Sequence, residues 1–145
     1  MHVRVDTTSL GALSSNSLVG SVWIEGECFS FPSDGWSDFV ALVLEQWATE
    51  LRPIYDRDGV ARLRVFDGPD TMRIERTGDL LFVRISRPAE VDKELQSCAS
   101  AITTLCESGR ECCNRLLGVT GGLSVADRVK VKAARGCFGP QIWQG

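Results

Sequence analysis

The side chains that most often carry catalysis, histidine and cysteine, do not form a reactive set in this sequence. The single histidine, His2, lies beside the N-terminus, where a side chain is seldom held rigidly enough for nucleophilic catalysis. No cysteine pair has the Cys-x2–4-Cys spacing that is usual at zinc sites; the cysteines are Cys28, Cys98, Cys106, Cys112, Cys113 and Cys137. We therefore expect no catalytic residue, no metal site and no bound cofactor.

Nineteen carboxylates remain as candidates for acid–base chemistry or for binding a hard cation. Asp34 and Asp38, like Asp67 and Asp70, lie close in sequence, but they lack the spacing of an EF-hand loop. Any two of these acids could meet in the fold and act as general acid and base, yet nothing in the spacing selects a pair. A small-ligand enzyme that uses two carboxylates therefore stays a less favoured alternative to a binding protein.

The acids are distributed unevenly along the chain. Residues 1–60 hold nine acidic and three basic side chains, and the remaining residues hold ten acidic and thirteen basic ones. Nucleic-acid binders are usually basic, because phosphate neutralisation supplies most of their affinity, so this acidic chain argues against that class. An acidic first half instead suits a basic protein partner, through complementary potential and faster encounter. The alternative is that these acids only solvate a surface.

An acidic docking surface of this kind needs an anchor as well as charge. Asp38, Glu45 and Glu50 fall away from the apolar stripe of a predicted helix, and the turn Asp67–Asp70 forms a second acidic tip. Trp23 projects from the non-core face of a predicted hairpin, and an exposed aromatic beside carboxylates is typical of an interface anchor. The predicted partner-binding residues are Asp34, Asp38, Glu45, Glu50, Asp67, Asp70 and Trp23.

The predicted helix that positions several of these acids lies in the stretch 35–47 (GWSDFVALVLEQW). Trp36 and Trp47 are separated by about three helical turns, so on a helix both rings lie on one apolar stripe. Ser33 or Asp34 supplies a cap and Pro53 ends the helix, which gives a helix over residues 36–51. Tryptophans at this spacing belong to a core far more often than to a cofactor site, so we interpret the stripe as packing.

Strand patterns lie on both sides of this helix. Residues 21–31 (SVWIEGECFSF) predict a hairpin with a two-residue Gly26-Glu27 turn, in which Ile24 faces Phe29. Alternation of apolar and charged residues over 61–86 predicts three strands, and residues 90–117 predict a second long helix. One face of the three strands carries arginines that either are solvated and pair with a neighbouring glutamate or contact an anion: Arg62, Arg64, Arg73 and Arg84.

These elements predict an α+β fold with a mostly antiparallel sheet of about five strands, two main helices packed on one face and a short C-terminal helix. The segment His2–Asp6 is a candidate fifth strand and residues 7–17 a loop. Residues 1–117 form the predicted domain, and residues 118–145 form an extension whose short basic helix starts at Ser124. No apolar run approaches the ~20 residues of a membrane span, and no secretory signal is present, so we expect a cytoplasmic protein with reduced thiols and no membrane partner.

Several of these motifs occur together in a known order. Phe31-Pro32 is followed by Trp36-x-Asp38-Phe39 and Val43-Leu44-x-x-Trp47, then by Leu63-x-Val65-Phe66-Asp67-Gly68-Pro69, a strand and a long helix containing Cys106. Over residues 20–117 this order resembles a group of small bacterial α+β proteins. Some members of that group are similar to immunity proteins of polymorphic-toxin and contact-dependent growth inhibition systems.

The resemblance implies a non-catalytic protein that binds a cognate toxin domain, often a basic nuclease, and blocks it or holds it inactive. The basic tail from Gly118 departs from the pattern of that group. An alternative from a different class is a homo-oligomeric scaffold, for example a homodimer, in which the cysteine-rich second helix self-associates. The expected partner is therefore a basic toxin domain, with a second copy of the chain as the alternative.

Overall fold

The computed structural model describes residues 1–12, 17–119 and 123–140, which form two antiparallel four-stranded sheets and three α-helices. The predicted α+β class with antiparallel pairing is confirmed. The finer prediction of about five strands with two main helices is wrong, because two segments predicted as helix pair as strands. The described helices are all too short or too polar to cross a membrane.

The first sheet is built around its second strand. β1 (His2–Ala12) pairs with one side of β2 (Leu18–Glu25), and β3 (Ser30–Phe31) and β4 (Ser37–Phe39) both pair with β2. The predicted strand at the N-terminus is confirmed, but it continues through residues 7–12, which were predicted as loop. Residues 13–16 of that predicted loop lie outside the described residues. The hydroxyl of Ser9 accepts a hydrogen bond from Ser21 N at 2.8 Å, close to the register irregularity in β1, and this bond supports the polar end of the strand.

The hairpin formed by β2 and β3 has a longer loop than the two-residue turn predicted for it. Ile24 pairs with Phe31 rather than with Phe29, and Glu25 pairs with Ser30. Gly26 N donates a hydrogen bond to Phe29 O at 2.9 Å, so residues 26–29 form the loop. A register change of two residues leaves every side chain on its face, so Ile24 and Phe31 are buried as predicted.

The second sheet has the strand order β5-β6-β7-β8, with strands β5 (Gly59–Arg64), β6 (Thr71–Thr77), β7 (Leu80–Ser86) and β8 (Lys93–Cys98). The three strands predicted over residues 61–86 are confirmed. β8 replaces the predicted start of the second long helix, because its residues pair along β7, with Leu95 opposite Val83. Val91, predicted as a buried helical position, is 96% exposed in the loop before β8.

The helices are α1 (Val40–Leu51), α2 (Ser100–Gly118) and α3 (Val125–Cys137), and a short 3-10 turn at Arg52–Ile54 follows α1. Helix α1 begins later than predicted, because residues 37–39 form β4 and pair with β2. Trp36 therefore precedes a strand, and the predicted helical stripe that joins it to Trp47 is wrong. Trp47 itself is fully buried on α1.

All three helices contribute to one hydrophobic cluster with the inner faces of the sheets. Helix α3, which lies in the predicted C-terminal extension, adds Val131 and Ala134 to that cluster, and Phe138, the residue after the helix, also belongs to it. The ring of Phe138 lies over Gly109 of α2 so closely that a Cβ at Gly109 would come within 2.7 Å of it. Residues 120–122 and 141–145 of the predicted extension lie outside the described residues.

Candidate protein-binding surface

The best-supported loop on the surface is the turn between β5 and β6. Residues Phe66–Pro69, here called the tip loop, are held by the carboxylate of Asp38 on β4. Asp38 Oδ2 accepts hydrogen bonds from Phe66 N at 2.9 Å and from Asp67 N at 3.1 Å. Asp38 is only 2% exposed, so it supports the loop from below and does not reach a partner itself.

Two further donors complete the environment of Asp38. The indole of Trp36 donates from Nε1 to Oδ2 at 3.0 Å, and Phe39 N donates to Oδ1 at 2.7 Å. Hydrogen bonds to a charged acceptor are stronger than those between neutral groups, so this buried carboxylate is well compensated. Trp36 also packs on the tip loop, because a Cβ at Gly68 would lie 2.9 Å from its ring atoms Cζ2 and Cη2. Residue 68 must therefore be small.

The tip loop presents an exposed aromatic ring beside acidic side chains. Phe66 is 51% exposed, and Asp67 next to it is also exposed. A shallow cleft of about 240 Å³ runs between Phe66 and the outer face of α1; it is lined by Leu42, Glu45, Gln46, Thr49, Glu50, Arg64 and Phe66. The surface thus combines an apolar anchor with carboxylates from two different elements.

Side chains of α1 fix the helix to the edge strand β5. Gln46 donates from Nε2 to Arg62 O at 2.9 Å and accepts from Arg64 N at 3.0 Å. Glu50 accepts from Arg62 N at 3.0 Å, and the buried Trp47 donates from Nε1 to Arg64 O at 2.8 Å. An edge strand exposes backbone N–H and C=O groups that have no partner strand. These four bonds satisfy such groups at Arg62 and Arg64, as a neighbouring strand would. The position of Glu45 relative to Phe66 is therefore fixed.

The other predicted contact residues lie elsewhere. Asp70 forms an ion pair with Arg87, whose Nε lies 3.3 Å from Asp70 Oδ2, and the carboxylate is largely covered. Asp34 is exposed and borders a separate cleft of about 300 Å³ that Arg87 and Lys93 also line. Trp23 is half-buried on the outer face of the first sheet, opposite Arg4. The predicted contact set therefore does not form a single patch.

Phe66 is the surface residue that the sequence analysis did not select. The alternation along β5 buries Leu63 and Val65 and exposes Arg62 and Arg64. Extending the same period by one step places Phe66 on the exposed side, where an aromatic residue is unusual. That signal was present in the sequence, but the predicted acidic turn began at Asp67 and left Phe66 out of the predicted contact residues.

The cysteine chemistry of α2 points to packing. Burial raises the pKa of the Cys106 and Cys113 thiols to about 12, and burial also raises the pKa of Cys112. These thiols are therefore protonated at neutral pH and are poor nucleophiles or metal ligands. In the described ranges, no group of three or more His, Cys, Asp and Glu side chains is arranged to hold a metal ion.

Comparison with known proteins leaves the function to be inferred from this surface. No protein-family model, no curated protein and no solved structure matches the chain. The resemblance to immunity proteins depends on the motifs quoted above. Three residues of those motifs, Trp36, Asp38 and Gly68, are the ones that hold the tip loop.

Proposed function

We propose that this chain is a non-catalytic binding protein that neutralises a cognate bacterial toxin domain by direct contact, as immunity proteins do. One observation carries the proposal: a buried carboxylate, Asp38, holds a loop that exposes Phe66 and Asp67. A partly exposed aromatic ring on a rigid loop contributes little to folding and suits an interface anchor.

Rigidity is what makes this loop suitable for binding. A loop that is already ordered loses less conformational entropy on association than a mobile loop, so more of the contact energy appears as affinity. The cleft beside Phe66 holds Glu45, Glu50 and one cation, Arg64, and Asp67 follows Phe66 in the loop, so the surroundings of Phe66 carry a net negative charge. This arrangement favours a basic toxin domain, because complementary charge increases the rate of encounter and fixes orientation.

The predicted residues take different parts in this proposal. We assign the central contact to Phe66, Asp67 and Glu45, with Asp38 supporting the loop and Glu50 attaching α1 to β5. Asp34, Asp70 and Trp23 remain predicted contacts outside that centre. Self-association through the cysteines of α2 has less support, because all three of them, Cys106, Cys112 and Cys113, are buried. The exposed face of α2 carries polar side chains instead: Glu107, Arg110, Glu111 and Asn114.

A bacterial growth assay tests the proposal. The chain is co-expressed with the toxin domain encoded by the neighbouring reading frame, and growth is followed after induction of the toxin. Wild type should restore growth, and the double variant Phe66→Ala/Asp67→Lys should lose protection while its expression level and circular dichroism spectrum stay unchanged.

A matched control uses the β6–β7 turn, which also carries an exposed acid followed by an exposed apolar residue. The variant Asp79→Lys/Leu80→Ala makes the same kinds of change at that turn, where Leu80 is 42% exposed. Protection should survive in this variant. Failure of wild type to restore growth, or equal loss of protection in both variants, would contradict the proposal.

A further inference from the structure

The outward face of the second sheet carries a row of arginines that crosses three strands. Arg62 on β5 pairs with Arg73 on β6, and Arg73 pairs with Arg84 on β7. Glu94 on β8 ends the row opposite Arg84. Side chains directly opposite each other in antiparallel strands have Cβ atoms about 4.5–5.5 Å apart, and like charges at this distance are destabilising. Fold stability therefore does not account for this row.

Ion pairs within the chain neutralise only part of the row. Arg73 lies 2.9 Å from Glu75, and Arg84 lies 3.0 Å from Glu94. Among the described residues, no carboxylate lies within ion-pair distance of Arg62 or of its neighbour Arg64. The outward positions of the four strands hold four arginines and two glutamates, a net charge of +2, whereas the whole chain carries −3. We call this surface the arginine face.

The arginine face also exposes apolar side chains. Phe82 and Leu80 on β7 are each 42% exposed, and Phe82 lies one outward position from Arg84. A shallow cleft of about 250 Å³ lies beside Phe82 and two arginines of the row. It is lined by Arg73, Glu75, Phe82, Val83, Arg84, Glu94 and Leu95. Arginine and aromatic residues are enriched in protein–protein interfaces, and both occur here on one rigid sheet.

We propose that the arginine face binds an acidic amphipathic helix of a partner protein. The helix lies across the strands, with its carboxylates on the row Arg62, Arg73 and Arg84 and an apolar side chain against Phe82. Residues three or four apart on a helix have Cβ atoms about 5–6 Å apart, close to the spacing of the arginine row. Same-face residues of an extended segment are about 6.6–6.8 Å apart and lose register across the row.

Charge distinguishes this occupant from a nucleic acid. Glu75 and Glu94 lie on the same face and repel a phosphate backbone, and the chain as a whole is acidic. An amphipathic helix can turn its own basic or polar residues toward these two glutamates, which a phosphodiester cannot do. The arginine face adjoins the cleft beside Phe66 at Arg64, but the arginine row Arg62, Arg73 and Arg84 lies outside that cleft, and the inferred partner has the opposite charge to the proposed toxin.

Fluorescence anisotropy of a labelled peptide tests the inference on the full chain at an ionic strength of about 0.1 M, where charges outside the binding site are largely screened. The probe is a synthetic helix of about 18 residues, roughly five turns, with glutamates along one face and leucines beside them. A scrambled peptide of the same composition and a single-stranded oligo-deoxythymidylate serve as competing probes. The ordered helix should bind more tightly than either.

Variants locate the binding site. The triple variant Arg62→Gln/Arg73→Gln/Arg84→Gln should weaken binding about tenfold, because each exposed charge pair contributes a few-fold. Phe82→Ala should weaken it about fivefold as the loss of an apolar anchor. The matched control Lys130→Gln/Lys132→Gln/Arg135→Gln removes the same charge from α3, which packs on α1 and α2. It should change the affinity less than about twofold, since charges more than about 10 Å apart are largely screened at about 0.1 M salt.

Arg62→Gln alone keeps the test valid if the triple variant misfolds, because Arg62 has no ion pair to lose within the described residues. This single variant should weaken binding of the ordered helical peptide a few-fold and leave the unfolding free energy of the protein in urea unchanged. Equal binding of the scrambled peptide, tighter binding of the oligonucleotide, no detectable binding, or equal weakening by the α3 control would each overturn the inference.

Discussion

Replacing Asp38 with alanine should strongly destabilise the protein, because one buried carboxylate serves donors from two separate segments. The donors are the backbone N–H groups of Phe39, Phe66 and Asp67 and the indole N–H of Trp36, at donor–acceptor distances from 2.7 to 3.1 Å. Alanine removes both acceptor oxygens. The N–H groups of the exposed Phe66 and Asp67 can recover water readily, whereas those of Trp36 and Phe39 belong to half-buried residues and are less accessible to it.

The magnitude follows from the exposure of the four donors. The N–H groups of the half-buried Phe39 and Trp36 lose their acceptor at about 1–3 kcal/mol each, while those of the exposed Phe66 and Asp67 lose a smaller net amount. The expected loss is therefore about 3–5 kcal/mol of unfolding free energy, a large part of the ~5–15 kcal/mol typical of a domain. Asp38→Asn keeps one oxygen but directs an amide group at Phe39 N–H, so it should lose about half as much.

Urea unfolding followed by circular dichroism measures these differences. The exposed Asp34 provides the control, and Asp34→Ala should change the unfolding free energy by less than about 0.5 kcal/mol. Hydrogen exchange at Phe66 and Asp67 should speed up in Asp38→Ala, because the loop loses its internal acceptor. A loss below about 1 kcal/mol would mean that water replaces the carboxylate at all four donors, and the rigid-loop reasoning would then be wrong.

Three further predictions concern the tip loop, the thiols and the acidic rim. Gly68→Ala should cost about 1–3 kcal/mol in urea unfolding, since its Cβ meets the Trp36 ring at 2.9 Å. Gly11→Ala should be tolerated, because no atom of the described residues would lie within 4 Å of its Cβ. In native protein at mildly alkaline pH, a thiol reagent should modify the exposed Cys28 and Cys98 rapidly and reach Cys106 and Cys113 only after unfolding. Because the pKa of both buried thiols is raised from 9.0 to about 12, their contribution to stability is complete below pH 9.0 and should be lost as the pH rises toward 12, seen as a falling urea midpoint. Glu45→Lys should slow association with a basic toxin about tenfold in stopped-flow and flatten its salt dependence, and Glu107→Lys on α2 should not; equal rates in both would exclude Glu45 from the contact.

Local signals accounted for much of the fold. The period-two alternation around Leu63, Ile74 and Val83 predicted three strands, and each of these side chains is buried. Ser124 was predicted to start the last helix, and its hydroxyl accepts a hydrogen bond from Asp127 N at 3.1 Å. These features depend on residues close in sequence, so the chain itself contains the information needed to predict them.

Two segments could not be assigned from local pattern, because distant partners determine their structure. Residues 37–39 continue the helical spacing of α1 but pair with β2, and residues 93–98 continue the spacing of α2 but pair with β7. In both cases the apolar residues fit either period over a few positions, and tertiary pairing decides. Asp38 was placed on the surface for a similar reason, since its backbone donors at Phe66 and Asp67 lie far along the chain.

Three residues of the motifs quoted for the resemblance to immunity proteins form one physical unit in the fold. Trp36 and Asp38 come from one end of the motif order and Gly68 from the other, and they meet around the tip loop through hydrogen bonds and ring packing. Such a unit fixes which backbone is displayed and leaves the displayed side chains free to vary. Under the proposed function, partner choice falls to the side chains outside the unit, Phe66, Asp67 and Glu45, which can change without removing the carboxylate that supports the loop.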